Sequence, residues 1–530
     1  TGAGLERIAA IKQGVYSNYD TDGFMPLIQC AGELAGVKIG SDEESDVALR
    51  VIADHSRATA FLIADGVMPS NEERGYVLRR IMRRAIRYGV KLGLKEPFLF
   101  KTVDAVVDLM ADAYPDLEER RDFISEIVRT EEERFSETLE KGLALLEKEF
   151  DSVTDNLLLG DVVFRLYDTF GFPVDLTRLI ADERGITLDE KGYEAAMEAQ
   201  RAAGRAAWKG SGETRLPDLS LPEGLQSTEF TGYAQAQDSA EIVAIAVDAA
   251  LAESITAGQT GVIATTRSPF YAEAGGQVGD KGTIKTPGGV FRVADVQKGQ
   301  GDVTLHLGEM ESGTLNTGET SELSIDGEHR SATRLNHTAT HLLHAALQEV
   351  LGEHVAQKGS LVDPVRLRFD FAHHKPMTTD ELRAVESRVY QQIMKNEPVE
   401  TEVKDLDTAR ADGAQALFGE KYGESVRVVS IGEFSMELCG GTHASASGDI
   451  GLFRITSESG IAAGVRRIEA VTGEGAMEWI RSRDDAATRS AKQIRSTIVD
   501  LPSALERLLT EKKRLEKELD AARRELARNA

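Results

Sequence analysis

Two pairs of metal-type side chains restrict the possible folds of this chain more than any other feature. His337 and His341 stand four positions apart, Cys439 and His443 also stand four apart, and Cys439 follows His341 by 98 positions. The first pair lies in Arg334–Leu351, where Leu342, Leu343, Leu347 and Leu351 recur at helical spacing. Both imidazoles then share one helix face, one turn apart, within reach of a single ion. Any fold that uses both pairs must bring 439–443 back onto that helix through tertiary structure. An HxxxH spacing is common by chance. Here it gains weight because one of only two cysteines falls four before one of ten histidines.

Imidazoles with one thiolate suit zinc. Four protein donors would close a tetrahedral site in which zinc orients a pocket or substrate, whereas three would leave a position for water. The spacing does not choose between them. His344, on the same helical face, and the adjacent His373 and His374 compete as ligands and read as surface or hydrogen-bonding residues.

Cys30 and Cys439 are the only cysteines in 530 residues, which excludes a disulfide scaffold and fits a reducing, cytoplasmic compartment. The length predicts about three or four domains. No apolar run approaches the roughly 20 residues of a membrane span, and no secretory signal is visible. Residue 1 is Thr, which predicts a native N-terminus further upstream.

With 62 basic and 88 acidic residues the net charge is -26, so the surface as a whole repels polyanions. A nucleic-acid partner needs a local basic patch. Arg74–Lys95 supplies eight basic residues and no acidic one. On a helix, Arg79, Arg83 and Arg87 share one face with Arg80 and Arg84 beside them, a spacing of like charges that calls for compensation. Two readings follow: a solvated face with salt-bridge partners elsewhere, or a helix that contacts phosphates.

Periodicity divides the chain. Residues 1–40 are short and Gly-punctuated. Residues 41–215 read as helices, among them Ser45–Leu62, Glu73–Tyr88, Asp116–Glu149 and Ala195–Trp208. Lys209–Leu225, rich in Gly, Ser and Pro, reads as a linker. Alternating segments with Gly-containing turns over 226–325 predict a small all-β unit, and 326–475 mixes helices and strands. Leu501, Leu505, Leu508, Lys512, Leu515, Leu519, Ala522 and Leu526 form a heptad seam, which predicts a coiled coil over 480–530 that runs on beyond Ala530. The fold class is multidomain α+β.

Two glycine motifs remain. Gly2-Ala-Gly4-Leu-Glu-Arg7 could let backbone approach a phosphate at a helix start. Gly275-Gly276-Gln277 matches the tripeptide with which peptide-release factors hydrolyse peptidyl-tRNA, although most such matches are β-turns. There is no Walker-type loop, GxSxG elbow or HExxH motif.

Together these stretches resemble the alanyl-tRNA synthetases over essentially the whole chain. Gly2–Arg7 looks like the third signature motif of class II synthetases. Asp54–Arg57 and Asp65–Arg80 are similar to the tRNA-recognition region, and Phe164–Pro173 resembles another stretch of the family. Phe270–Asp280, His337–His341, Gln357–Ser360 and Cys439–His443 resemble the editing domain.

The resemblance implies a remnant of the class II core over 1–40, a helical tRNA-recognition domain over 41–215, a β-barrel over 226–325, a zinc-containing editing domain over 326–475 and the start of a coil. The first two class II motifs and a C-terminal domain would lie outside the chain, which then reads as a fragment. The implied metal ligands are His337, His341, Cys439 and His443, with Thr340 and Gln357 in the editing pocket. Gly2, Gly4 and Arg7 would bind ATP. Asn71 and Asp168 would read a G·U wobble pair in the acceptor stem, and Arg79, Arg80, Arg83, Arg84 and Arg87 would hold its phosphates, which favours the RNA-binding reading of that helix.

The implied function is alanine–tRNA ligation with ATP and Mg2+, plus hydrolysis of Ser-tRNA(Ala) and Gly-tRNA(Ala). Homodimerisation through a missing C-terminal part is a further implication. The alternatives are a stand-alone trans-editing hydrolase, which needs neither Gly2–Arg7 nor the helical region, and a tRNA-binding module with structural zinc.

Overall fold

The computed structural model describes residues 4–71, 73–151, 153, 156–207, 227–248, 250–415, 423–462 and 464–529. Gly2, Trp208 and the linker expected at Lys209–Leu225 lie outside these residues. The chain divides into two compact units, 1–216 with 372–376 and 460–466, and the remainder.

The first unit is helical: α1 (Leu5–Gln13), α2 (Met25–Ala35), α3 (Glu43–Ala64), α4 (Glu73–Lys91), α5 (Leu99–Met110), α6 (Pro115–Glu119), α7 (Arg121–Phe150), α8 (Gly160–Asp168), α9 (Val174–Glu183) and α10 (Glu190–Ala207). Asp42 caps α3 by accepting from Ser45 N at 2.8 Å, with Glu43, Glu44 and Asp46 in the first turn. Phe98, at the start of α5, has no capping side chain. Buried Glu132 of α7 supplies the acceptor instead, bonding Phe98 N at 2.8 Å and Leu99 N at 3.0 Å.

Residues 1–40 do not stand apart from 41–215. Phe24, Leu27, Ile28 and Ala31 share one core with Leu49, Ile52, Val103 and Ile127. The single charged helix expected over Asp116–Glu149 is broken at Arg120, which ends α6 and precedes α7.

The second unit opens with a six-stranded antiparallel barrel of β1 (Gln237–Val247), β2 (Thr260–Thr265), β3 (Gly282–Thr286), β4 (Gly289–Lys298), β5 (Thr304–Asn316) and β6 (Thr320–Ile325). Its order is β4-β3-β6-β1-β2-β5, and β5 pairs with β4 to close it. Closure leaves no edge for intermolecular pairing. Ile242, Ile263, Ile284, Phe291, Met310 and Leu323 fill the interior.

His306 is completely buried in the barrel, with Nδ1 2.9 Å from Ile263 O and Nε2 2.8 Å from Ser268 Oγ. Burial holds its pKa down at about 4. The folded state therefore binds fewer protons than the unfolded state between that value and 6.5. Its contribution to stability is present above the unfolded pKa and fades as pH falls through the folded one. From pH 7 to pH 4.5 the wild type is expected to lose roughly 2–3 kcal/mol more than a His306→Gln variant, measured by urea unfolding.

After the barrel come α11 (Gly327–Leu351), β7 (Gln357–Val362), β8 (Leu367–Ala372), α12 (Thr379–Lys395), β9 (Val399–Asp405), α13 (Leu406–Ala411), β10 (Ser425–Ile431), β11 (Ser435–Leu438), β12 (Phe453–Ala462) and β13 (Val465–Thr472). They form a four-stranded sheet, β7-β8-β13-β12, and a three-stranded one, β9-β10-β11. Leu342, Leu343 and Leu347 of α11 are buried with Phe369, Val385 and Ile468.

The coil expected over 480–530 is two helices, α14 (Gly473–Gln493) and α15 (Leu501–Asn529), and only the second carries the seam. Leu505, Leu508, Leu515, Leu519 and Leu526 are exposed along it. Among the described residues, no helix is long and apolar enough to cross a membrane.

Candidate metal centre and arginine face

Helical spacing puts His337 and His341 on the buried side of α11, and their rings stack 5.3 Å apart. The turn after β11 brings up Cys439 and His443. One donor atom from each of the four residues lies within 4.8 Å of the others.

Two of the imidazoles are held from outside by their Nδ1 atoms at short range. Those of His337 and His341 lie 2.8 Å from Gln277 Oε1 and 2.7 Å from Glu437 Oε2. That of His443 faces Thr338 Oγ1 at 3.5 Å. A carboxylate or amide oxygen can only accept, so the outer nitrogens of His337 and His341 each carry a proton, and Nε2 is the atom left to face an ion.

The Nε2 atoms of His341 and His443 are buried without a hydrogen-bond partner, a costly arrangement unless something coordinates them. His337 Nε2 is 3.4 Å from Cys439 Sγ, near the roughly 3.5 Å edge of a tetrahedral zinc site with one sulfur. The residues fit a metal ion, and outer partners of this kind are what metal-ligating histidines require.

The charges agree. Burial opposes ionisation of the Cys439 thiol, but the imidazoles of His337, His443 and His341 bring its pKa well below the ordinary value. Burial and His337 hold His443 down at about 3. Burial also works against charge on Glu437, yet His341 and His344 bring it to about 2. The site favours a thiolate, a carboxylate and a neutral His443.

His344 is not one of the four. Its Nδ1 lies 2.9 Å from Glu437 Oε1, so one carboxylate holds two imidazoles. His373 and His374 are buried and also outside this cluster. Gly441 explains the spacing of Cys439-Gly-Gly-Thr-His443. A Cβ on Gly441 would stand 2.1 Å from His337 Cε1 and 2.9 Å from Gln277 Oε1. Thr340 is buried with its hydroxyl bonded to Asn336 O at 2.9 Å, and Gln357 is half-buried at the start of β7. Gln277, Thr338 and Glu437 escaped the sequence reading as partners of the ligands; only the Gly275-Gly276-Gln277 turn marked one of them.

The arginines of α4 separate by orientation. Arg79 Nε donates to Glu131 Oε1 at 2.6 Å, Arg83 lies 3.7 Å from the same carboxylate, and Arg87 pairs with Glu183 at 2.5 Å. Arg79 and Arg87 are buried. Arg80 and Arg84 face solvent, with Arg80 3.9 Å from Asp175. The expected five-arginine face is thus divided between two exposed guanidinium groups and three turned inward on carboxylates. A cleft of about 210 Å³ runs between α4 and α9, lined by Arg80, Arg83, Arg84, Asp175 and Arg178, the last unforeseen.

Asn71 and Asp168 are exposed; Asn71 Oδ1 accepts from Arg79 and Asp168 accepts from Gln200 of α10. Gly4 precedes α1 with φ 65°, and Arg7 is exposed on its first turn.

Residues 1–329 match the family described as tRNA synthetases class II (A). Residues 426–469, which hold Glu437, Cys439 and His443, match the threonyl and alanyl tRNA synthetase second additional domain. The chain belongs to the class II tRNA synthetases, ligases that join an amino acid to tRNA, and carries their threonyl/alanyl-type editing domain.

Proposed function

We propose that the chain is the part of an alanine-specific synthetase that recognises tRNA(Ala) and removes serine and glycine charged onto it in error. The observation that carries this reading is the cluster of one thiol and three imidazoles, His337 and His341 buried and Cys439 and His443 half-buried, with outer nitrogens engaged and the Nε2 atoms of His341 and His443 without partners. The family works with ATP and Mg2+, and Gly4 and Arg7 are the described residues suited to the ATP phosphates.

Editing has a physical necessity here. A pocket for alanine admits glycine with a methyl to spare, and it rejects an added hydroxyl by only about a hundredfold. One error is larger and one smaller than the cognate residue, so size exclusion alone fails and a second site must act on the charged tRNA.

His337, His341, Cys439 and His443 would hold zinc, which in a closed set of four donors supplies a fixed positive charge and a rigid anchor. Glu437 and Gln277 orient the rings of His341 and His337, and Thr338 bridges Ala444 N and His443; Thr340 and Gln357 would line the editing pocket beside them. One ordered water, aligned against the terminal adenosine, attacks the ester carbonyl carbon; the bond from that carbon to the ribose oxygen breaks, a proton from the water passes to that oxygen, and the free amino acid leaves.

Asn71 and Asp168 suit a G·U wobble pair, whose guanine amino group lies in the minor groove and can donate to either side chain. Arg80 and Arg84 would hold the adjoining phosphates. A double Arg80→Ala/Arg84→Ala variant is expected to weaken tRNA binding and to reduce the slope of log K against log salt by about 0.7–0.9 per lost phosphate contact. Filter binding at several salt concentrations checks this. Arg79→Ala, which leaves buried Glu131 with only its longer contact to Arg83, is expected to lower the melting temperature.

The direct test is release of amino acid from preformed Ser-tRNA(Ala), Gly-tRNA(Ala) and Ala-tRNA(Ala), with a tRNA(Ala) lacking the G·U pair as control. Selective release of serine and glycine from the G·U-bearing tRNA supports the reading. Indiscriminate release, or none, refutes it.

A further inference from the structure

Gln277 belongs to the loop between β2 and β3 of the barrel, yet its side chain is completely buried outside the barrel interior. The Gly275-Gly276-Gln277 turn that carries it closes through Gln277 N to Ala274 O at 3.0 Å. Both glycines have positive φ, 58° and 83°. A Cβ on Gly276 would stand 2.6 Å from Ser360 O, so only glycine lets the turn lie against β7. Val362 N donates to Gly276 O at 2.7 Å and Val278 N to Val362 O at 3.1 Å, fixing the turn on both sides.

From this turn the amide reaches both donor-bearing segments. Oε1 lies 2.8 Å from His337 Nδ1 and accepts from Thr442 N at 2.9 Å, while Nε2 donates to Thr442 Oγ1 at 2.9 Å. Every contact has a defined direction. An amide oxygen only accepts, so the His337 proton is on Nδ1 and its Nε2 lone pair faces Cys439. The Thr442 contacts fix the register of the loop between Cys439 and His443.

We propose that Gln277 is a positioning residue of the metal centre: it sets the His337 tautomer and the placement of the Cys439–His443 loop, and so makes a barrel loop part of the zinc site. The inference rests on the metal-centre reading above. A metal-ligating imidazole whose outer nitrogen loses its acceptor must hold its tautomer and orientation unaided, at a cost of 10–100-fold in affinity for metal.

The test is zinc affinity of the full chain by competition with a chromophoric chelator, together with the d–d spectrum of the cobalt-substituted protein and the melting temperature of the apo form. Gln277→Met keeps the volume and removes the acceptor, and is expected to lower affinity by roughly 10–100-fold. Gln277→Glu keeps an acceptor for His337 Nδ1 and Thr442 N, the Thr442 hydroxyl turning to donate, and is expected to bind zinc at least as tightly as wild type with an unaltered cobalt spectrum.

A merely structural role predicts the opposite order, because a buried carboxylate destabilises the apo protein more than Met does. Equal affinities in wild type and Gln277→Met, or losses in Gln277→Glu as large as in Gln277→Met, overturn the proposal. Wild type that binds no zinc overturns the metal-centre reading and this inference with it. Wild type that binds zinc while Gln277→Met is unaffected overturns this inference alone.

Discussion

Replacing Cys439 with Ala is expected to abolish zinc binding and serine release from Ser-tRNA(Ala) while leaving tRNA affinity unchanged. The thiolate is the one anionic donor among the four, and its charge answers that of the ion. Without it, three imidazoles, two of them buried, would face a dication with no compensating charge inside the cluster. The loss should exceed the roughly 10–100-fold that follows removal of an outer partner. Zinc content after dialysis and single-turnover deacylation measure the two effects. Near-ultraviolet circular dichroism and the melting temperature of the same variant separate a lost site from a lost fold, while unchanged tRNA binding is expected because the proposed acceptor-stem contacts, Asn71, Asp168, Arg80 and Arg84, belong to the first unit.

The second large effect concerns Arg330 and Asp280. Arg330, on the first turn of α11, is 2% exposed. Its Nε donates to Asp280 Oδ1 at 2.8 Å, Nη1 to Gly232 O at 2.8 Å and Nη2 to Pro269 O at 2.9 Å. Asp280 Oδ2 also accepts from Tyr271 N at 2.6 Å. The pair fastens the helix that carries His337 and His341 to the loop that carries Gln277.

Asp280→Ala leaves a guanidinium buried with carbonyl partners but no counter-charge and should cost about 3–5 kcal/mol in unfolding free energy. An Arg330→Met/Asp280→Leu double variant should recover part of that loss, since no charge is then left unpaired. Denaturant midpoints followed by near-ultraviolet circular dichroism compare the two. A single variant as stable as wild type would mean that water reaches the pair.

Short-range spacing made much of this legible. The i, i+4 histidines, the alternation of the barrel strands and the leucine seam of α15 each involve neighbours a few residues apart, where helix or strand geometry fixes which side chains meet. The arginines show where this stops. Spacing put Arg79, Arg83 and Arg87 on one face and called for compensation, but their partners Glu131 and Glu183 lie 52 and 96 positions away. Only the packed helices reveal that the face turns inward.

Glu437 and Gln277 were hidden for the same reason. Each is an ordinary polar residue in its own segment and acquires a role only where folding places it against an imidazole, 96 and 60 positions distant respectively. The break at Arg120 divides a uniformly charged stretch in which periodicity gave no stop signal.

The most direct test of the central claim is serine release from Ser-tRNA(Ala) by the wild-type chain, measured as isolated, after chelation, and after zinc is returned, with bound zinc counted at each step. One zinc per chain is expected, with activity that disappears with the metal and returns with it, and Ala-tRNA(Ala) left intact throughout. Undiminished serine release from metal-free protein would contradict that claim.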